Sequence, residues 1–376
     1  MIYFDNAATT QPYPEVIEKV KEGLLDYGNP SSSHALGKRT KIKVEEAREN
    51  VASLINCNPE NIIFTSGGTE SNNWAIYSQI ANNSKKNMIT SSIEHHSILK
   101  ASENITKTFN STAIYAPVDS NGIVSLGNLL RDIDINSNIS LVSIMYANNE
   151  TGAIQPIKEI VKICKKNNIL MHTDAVQAVG KIPIDVKDLE IDLLSLSGHK
   201  FHGPKGVGAL YVKDGVRIDP MVSGGHQENG LRAGTYNVPA IMGMGEAARI
   251  TKEKMLDFTA LSAEMYFYQK LKERTLNIYR VSQNSNRIPG IVNVIIPGVE
   301  SKLFVIKASE KGLCCSSGSA CNEGNTKPSH VLTAMGIDPF EAHSSIRFSL
   351  DSFCTISEVD EAIEIIVDAL KDMHTI

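Results

Sequence analysis

The chain has 376 residues, 42% of them hydrophobic and 21% charged, with Lys+Arg 37 against Asp+Glu 42. That balance predicts a globular protein large enough for two domains and excludes a disordered or low-complexity chain. A net charge of −5 without a basic block argues against nucleic acid as a partner, and no apolar run suits a membrane span.

The N-terminus, Met1-Ile2-Tyr3-Phe4-Asp5, lacks the basic and apolar regions of a leader, so a cytoplasmic protein is expected. The six cysteines, Cys57, Cys164, Cys314, Cys315, Cys321 and Cys354, then form no disulfide framework. No C-x-x-C pair occurs and no metal site is expected.

In chain order, short apolar runs predict strands at 61–65, 87–91, 112–115, 139–147, 169–173, 191–196 and 206–212. Helical patterns lie between them at 70–81, 95–104 and 156–167. Strands that are apolar on both faces belong to a sheet covered by helices on both sides. The pattern predicts an α/β, doubly wound, mostly parallel sheet. A long helical pattern begins near Pro239, and the rhythm then changes. A strand at 290–297, a helix at 301–310, a strand at 344–350 and a final helix opened by the capping box Thr355-Ile356-Ser357-Glu358 predict a smaller α+β domain.

Chemistry-bearing residues cluster just after the predicted strands. Thr65-Ser66-Gly67-Gly68-Thr69-Glu70 joins a strand to a helix. Glycines admit a ligand to the backbone, and the helix N-terminus offers free amides and a partial positive charge, which suits a phosphate. A plain strand-to-helix turn capped by Thr69 fits equally well. Glu94-His95-His96 follows the next strand; an imidazole there can stack on an aromatic ring and move protons near neutral pH, or be structural. Asn148-Asn149-Glu150-Thr151-Gly152 can orient a ring oxygen, although Asn-rich turns are common.

Asp174, in His172-Thr173-Asp174-Ala175-Val176-Gln177, ends another apolar strand and faces the crevice where such sheets bind ligands. It can pair with a protonated pyridine nitrogen or cap a helix, and Gln177 can reach a ring oxygen. Ser197-Gly198-His199-Lys200, followed by Gly203-Pro204-Lys205-Gly206, places Lys200 at a strand end, where a lysine can form a Schiff base with pyridoxal 5′-phosphate. Arg347 interrupts the apolar run Ser345-Ile346-Arg347-Phe348-Ser349 and needs an anion, either a ligand carboxylate or an internal acidic partner. Cys321 stands in a polar, glycine-containing loop, whereas Cys314 and Cys315 end an apolar run and read as buried thiols.

Together these motifs resemble the pyridoxal-phosphate-dependent cysteine desulfurases of the class-V aminotransferase group, of the type with a long cysteine loop. The likeness runs through Tyr3-Phe4-Asp5-Asn6-Ala7-Ala8-Thr9-Thr10, Gly28-Asn29-Pro30, residues 65–72, Glu94-His95, Asn148-Asn149-Glu150, 197–206, 224–237 and 344–350. Ser316-Ser317-Gly318-Ser319-Ala320-Cys321 sets desulfurases apart from other class-V members. The resemblance implies fold type I, with a large cofactor-binding domain over 15–255. A small C-terminal domain over 256–376, joined by residues 1–14, carries the cysteine loop 316–328.

The resemblance also implies roles. Lys200 is the Schiff-base lysine, and Thr69, Ser197 and His199 hold the phosphate, with Gly68 giving room. Asp174 pairs with the pyridine nitrogen, Gln177 and Asn149 with the ring oxygen, and His95 stacks on the ring and shuttles protons as a catalytic residue. Arg347 grips the substrate carboxylate, with Asn149 nearby. Cys321 is the nucleophile that takes sulfur from L-cysteine, leaving alanine and a persulfide. Thr235 reaches a partner subunit's phosphate, so a homodimer is implied.

The chain departs from the usual pattern at Asn322-Glu323 and at Cys314-Cys315, and it stops soon after its last helix. Several sulfur acceptors therefore stay open: an iron–sulfur scaffold, a tRNA-thiolation relay or a thio-cofactor pathway. Rival readings are a selenocysteine lyase, a class-V transaminase, and a non-catalytic dimer binding metal through Cys314, Cys315 and Cys321.

Overall fold

A computed structural model describes residues 1–81, 83–136, 138–255, 259–275, 277–318 and 328–373. Its centre is a seven-stranded sheet in the order Ile62–Thr65, Gly208–Val212, Leu193–Ser197, Leu170–Asp174, Ile139–Ser143, Asn87–Ser91, Ala113–Ala116. Only Gly208–Val212 runs against the rest. The doubly wound, mostly parallel sheet expected from the apolar runs is therefore present. The inner runs Ile139–Ser143, Leu193–Ser197 and Gly208–Val212 are buried on both faces, with no alternation, because helices cover both sides, whereas the edge strand Ala113–Ala116 is partly exposed.

One face packs under Ala35–Leu54 and Val238–Glu253. The other face packs under Gly68–Ala81 and His96–Phe109, centred on Trp74, Ile76 and Ile98. The large buried aliphatic side chains stabilise this core by roughly 1.5–3 kcal/mol each.

Element ends differ from the sequence pattern by a few residues. The run 139–147 is strand only over Ile139–Ser143. Past Ser143 the chain turns away from the ladder, with the Met145 amide donating to the Glu94 carboxylate at 2.9 Å. The helix read as 95–104 is His96–Phe109, because His95 is its N-cap and its side chain accepts from the Ser97 amide. Pro14–Leu25, Ala35–Leu54 and Thr259–Arg274 are further helices that the sequence pattern did not single out.

A second, antiparallel sheet orders Ser316–Ser317, Ser345–Ser349, Ile291–Ile295 and Tyr279–Arg280. It packs against Thr259–Arg274, Ser301–Glu310 and Ile356–Asp372. The last of these helices carries the expected capping box. Val359, Ile363, Ile366, Val367 and Leu370 are buried as its spacing predicts, but Ile356 is exposed, since the first helical residue projects past the core edge.

The N-terminus links the two cores. Ile2–Tyr3 pairs in parallel with Leu313–Cys314, and Ile2 and Phe4 sit in the core of the small sheet. Ala7 and Tyr13 belong to the large core. Residues 5–10 thus cross between the sheets, past the carboxyl ends of the parallel strands.

Candidate active site

Those strand ends form a cavity of about 540 Å³. Its wall brings together Gly68, Thr69, His95, Asn149, Asp174, Gln177, Ser197, His199, Lys200 and Arg347. Of the residues singled out in the sequence, two stand apart. Thr235 is exposed and is not part of the wall. Cys321 lies outside the described residues, as does most of the loop 316–328; its flanks, Gly318 and Pro328, line the cavity.

Lys200 closes a single 3-10 turn, Gly198–Lys200, at the end of strand Leu193–Ser197. Its Nζ donates to the carbonyl oxygens of Ala7 and Ala8, at 2.7 and 2.8 Å. Asp174 is held by its own strand end: Oδ1 accepts from the Val176 amide at 3.0 Å and Oδ2 from Asn72 Nδ2 at 2.7 Å. The bond to Val176 is the local cap, and the buried carboxylate lines the cavity as well.

The N-terminal end of Gly68–Ala81 opens into the same space. A Cβ on Gly68 would come within 2.7 Å of Val176 Cγ2, so the backbone approaches the cavity closely only with glycine there. Glu70 follows directly, but Arg232 pairs with it in a fork at 2.9 and 3.1 Å, and burial notwithstanding the carboxyl is held below its usual range. Its charge is shared between Arg232 and the Ser66 amide, which donates to Oε2 at 2.8 Å. His199 Nδ1 is 3.2 Å from Thr9 Oγ1. Burial, helped by Lys200, Lys205 and Lys181, pushes its imidazole down to about 4, so it is neutral at pH 7.

His95 has its ordinary basicity lowered, chiefly by burial, with Asp174 opposing and Lys200 and His96 reinforcing. Its Nδ1 accepts from the Ser97 amide at 3.1 Å and lies 2.7 Å from Ser97 Oγ. An Nδ1 that accepts from a backbone N–H carries no proton, which places the proton of the neutral ring on Nε2.

Arg347 is buried within the small sheet. Nη1 donates to the Asn149 carbonyl and Nη2 to Asp5 Oδ1, both at 2.9 Å. The internal acidic partner anticipated for it therefore exists. Nε has no partner among the described residues, and the side chain still reaches the cavity wall. Of the Asn-rich turn, Asn148 is structural, donating to the Ile93 carbonyl and accepting from the amides of Glu150 and Thr151. Asn149 faces the cavity. Cys315 is buried in the small core and burial pushes its thiol far up, while Cys314 is half-buried.

The sequence reading missed three groups. Asp5 and the carbonyls of Ala7 and Ala8 were quoted only as part of a resemblance, yet they bind Arg347 and Lys200. Glu94 is fully buried, accepts from Ser91 Oγ and the Met145 amide, and is pushed up to about 8 by burial. Glu150 accepts from Ser329 Oγ and is pushed up to about 7 by burial. No local signal marked these two, because their solvation depends on the packing around them.

The family profile of class-V aminotransferases matches residues 2–362. The chain belongs to that family. A cysteine desulfurase, IscS, of Methanosarcina thermophila is 44% identical over 99% of this chain and 93% of its own length. A solved NifS-like protein superposes with a TM-score of 0.91 at 37% identity, over 99% of both chains. A structure described as SspA in complex with cysteine superposes with a TM-score of 0.83 at 35% identity, over 93% of this chain and 99% of the other.

The wall residues suit pyridoxal phosphate, the cofactor this family implies. A glycine-lined helix N-terminus with hydroxyls and a neutral imidazole suits a phosphate. A buried aspartate at a strand end suits a protonated ring nitrogen, and a lysine amine lies beside it.

Proposed function

We propose that the protein is a pyridoxal-phosphate-dependent cysteine desulfurase, converting L-cysteine to L-alanine and leaving the sulfur on Cys321 as a persulfide. The observation that carries this is the convergence of Lys200, Asp174, Gly68, Thr69 and Arg347 on one cavity in a class-V chain whose full-length relatives are named for that activity.

Thr69, Ser197, His199 and the Gly68 backbone would hold the phosphate, Asp174 the pyridine nitrogen, Gln177 and Asn149 the ring oxygen, and Lys200 the aldehyde carbon. The bound cofactor supplies an electron sink that makes the substrate's α-proton acidic and its carbon–sulfur bond labile. Arg347 binds the substrate carboxylate through its guanidinium, with Asp5 and the Asn149 carbonyl holding the fork in place. The Lys200 amine takes the proton from the α-carbon. His95, neutral with its proton on Nε2, starts as a proton donor. The Cys321 thiolate attacks the substrate sulfur; the S–S bond forms as the C–S bond breaks, the β-carbon takes up a proton, and Lys200 returns the proton to the α-carbon to give alanine.

We further place the cofactor-binding domain at 15–255 and the cysteine-loop domain at 256–376, joined by 1–14, a division supported by the separate apolar cores that residues 2–13 connect. A homodimer, with Thr235 serving the partner subunit's phosphate, and a sulfur-acceptor protein such as an iron–sulfur scaffold complete the proposal. The cytoplasm is the proposed setting. It is supported by the free thiols of the five cysteines among the described residues. No helix among those residues is long and apolar enough to cross a membrane.

The test is alanine and sulfide released from L-cysteine by the cofactor-loaded protein with a thiol reductant. Equal amounts are expected. Cys321→Ser is expected to bind the cofactor and release neither product; sulfide at the wild-type rate from that variant would remove Cys321 from its role.

A further inference from the structure

The turn after Asp174 carries Gln177 into the cavity wall and then bends back at Gly180, φ +83°, where a Cβ would lie 2.6 Å from Phe201 Cβ. The bend brings Lys181 beneath Gln177, four residues along the chain. Lys181 Nζ donates to Gln177 Oε1 at 2.7 Å, and Gln177 Nε2 donates to the Ala7 carbonyl at 2.8 Å. The same carbonyl receives Lys200 Nζ at 2.7 Å.

A carbonyl oxygen only accepts, so Ala7 pins the Nε2 end of the amide and Lys181 must meet the Oε1 end. The Gln177 amide is thereby held at both ends. Its second N–H has no acceptor among the described residues. Lys181 is not part of the cavity wall, and burial, followed by the repulsion of Lys200 and Arg347, pushes its amine down to about 7. A lysine desolvated to that degree is costly unless its contact with Gln177 repays it.

We propose that Lys181 is a positioning residue for the cofactor: by holding Gln177 Oε1 it keeps the Gln177 N–H aimed into the cavity, next to the carbonyl that also seats Lys200. Lys181 touches neither cofactor nor substrate; it acts through Gln177. The inference rests on the proposed binding of pyridoxal phosphate.

The experiment follows cofactor release from the full-length holoenzyme on dilution, as the loss of its visible absorption. Lys181→Met is expected to release pyridoxal phosphate about tenfold faster, the cost of one charge-assisted hydrogen bond. Lys181→Arg, which keeps a donor, should stay within about twofold of wild type. Gln177→Leu with Lys181→Met should release no faster than Gln177→Leu alone, because the two residues act as one unit. A wild-type release rate in Lys181→Met, or full additivity in the double variant, overturns the proposal. Should Lys181→Met fail to fold, Lys181→Gln carries the test, since its shorter side chain cannot span the contact; the same acceleration and the same non-additivity are expected. A wild-type protein that takes up no pyridoxal phosphate fails the functional reading instead, and one that binds it without making alanine leaves this test intact.

Discussion

The strand ends and the N-terminal segment 5–10 face one cavity, but they acquire their polar groups differently. At the strand ends several groups have a bond to a near neighbour, although Asn72 also holds Asp174 and the Ala7 and Ala8 carbonyls hold Lys200. Asp174 is held by the Val176 amide, His95 by the Ser97 amide, and the anion-binding backbone begins where Gly68–Ala81 starts. In residues 5–10 the contacts that build the site are long-range, although local turns hold the segment itself. Asp5 meets Arg347 from 342 positions away, and the Ala7 carbonyl meets Lys200 from 193 positions away. The strand ends are a local product of the α/β fold, whereas the segment exists as part of the site only once both cores have formed. Chemistry placed by local geometry should fail outright when its reacting group is removed; organisation supplied across the chain should fail by degree.

The largest effect expected is at the strand end. Lys200→Ala should lower alanine formation by about a thousandfold or more while the fold is retained, because the amine that moves the α-proton is gone. Alanine release within a few-fold of wild type would take Lys200 out of the mechanism.

The long-range pair of Arg347 with Asp5 of the segment should respond less. Arg347→Ala should weaken cysteine binding by roughly 2–5 kcal/mol, read as KM, because a buried carboxylate would lose its partner. Asp5→Asn keeps the arginine and loses one of its two anchors, so KM should rise by about three- to tenfold with cofactor content unchanged. A lower KM would show instead that Asp5 competes with the substrate carboxylate for the guanidinium.

The smallest effect is on stability. Glu94 is pushed up to about 8 in the folded protein by burial, against about 4.3 for an unfolded glutamate. Between those values the folded form keeps a proton that the unfolded chain has lost, so stability falls as pH rises across that window. Glu94→Gln cannot titrate. Its Tm relative to wild type should climb between pH 5 and pH 8 by on the order of 2–4 °C. A difference that stays flat with pH would mean that Glu94 is ionised in the fold.

Much of the architecture was legible because both-face burial leaves a plain mark: strands such as Ile139–Ser143 and Leu193–Ser197 are apolar throughout. Boundaries differ by up to five residues, in part because capping geometry, not hydropathy, sets an element's end, as at His95. Helices such as Ala35–Leu54 went unread because their outward faces are charge-rich and their buried stripe includes Thr40 and Arg48. The strand-end candidates all reached the cavity, since position after a parallel strand is itself a spatial statement. Arg347 was readable as a buried cation in need of an anion, but not which anion. Lys181 went unread, since nothing in its sequence neighbours reveals that Gly180 folds it beneath Gln177.

By itself the sequence determined the sheet, the run of polar residues at its carboxyl ends and the chemistry those residues can carry, because these follow from hydropathy period and residue type over short spans. Tertiary structure alone decided that residues 5–10 lace the two cores together, that Arg347 rests on Asp5, and that Glu94, Glu150 and Lys181 are shifted far from their ordinary protonation. Those outcomes depend on desolvation and on contacts between distant parts of the chain, and neither exists until the chain has packed.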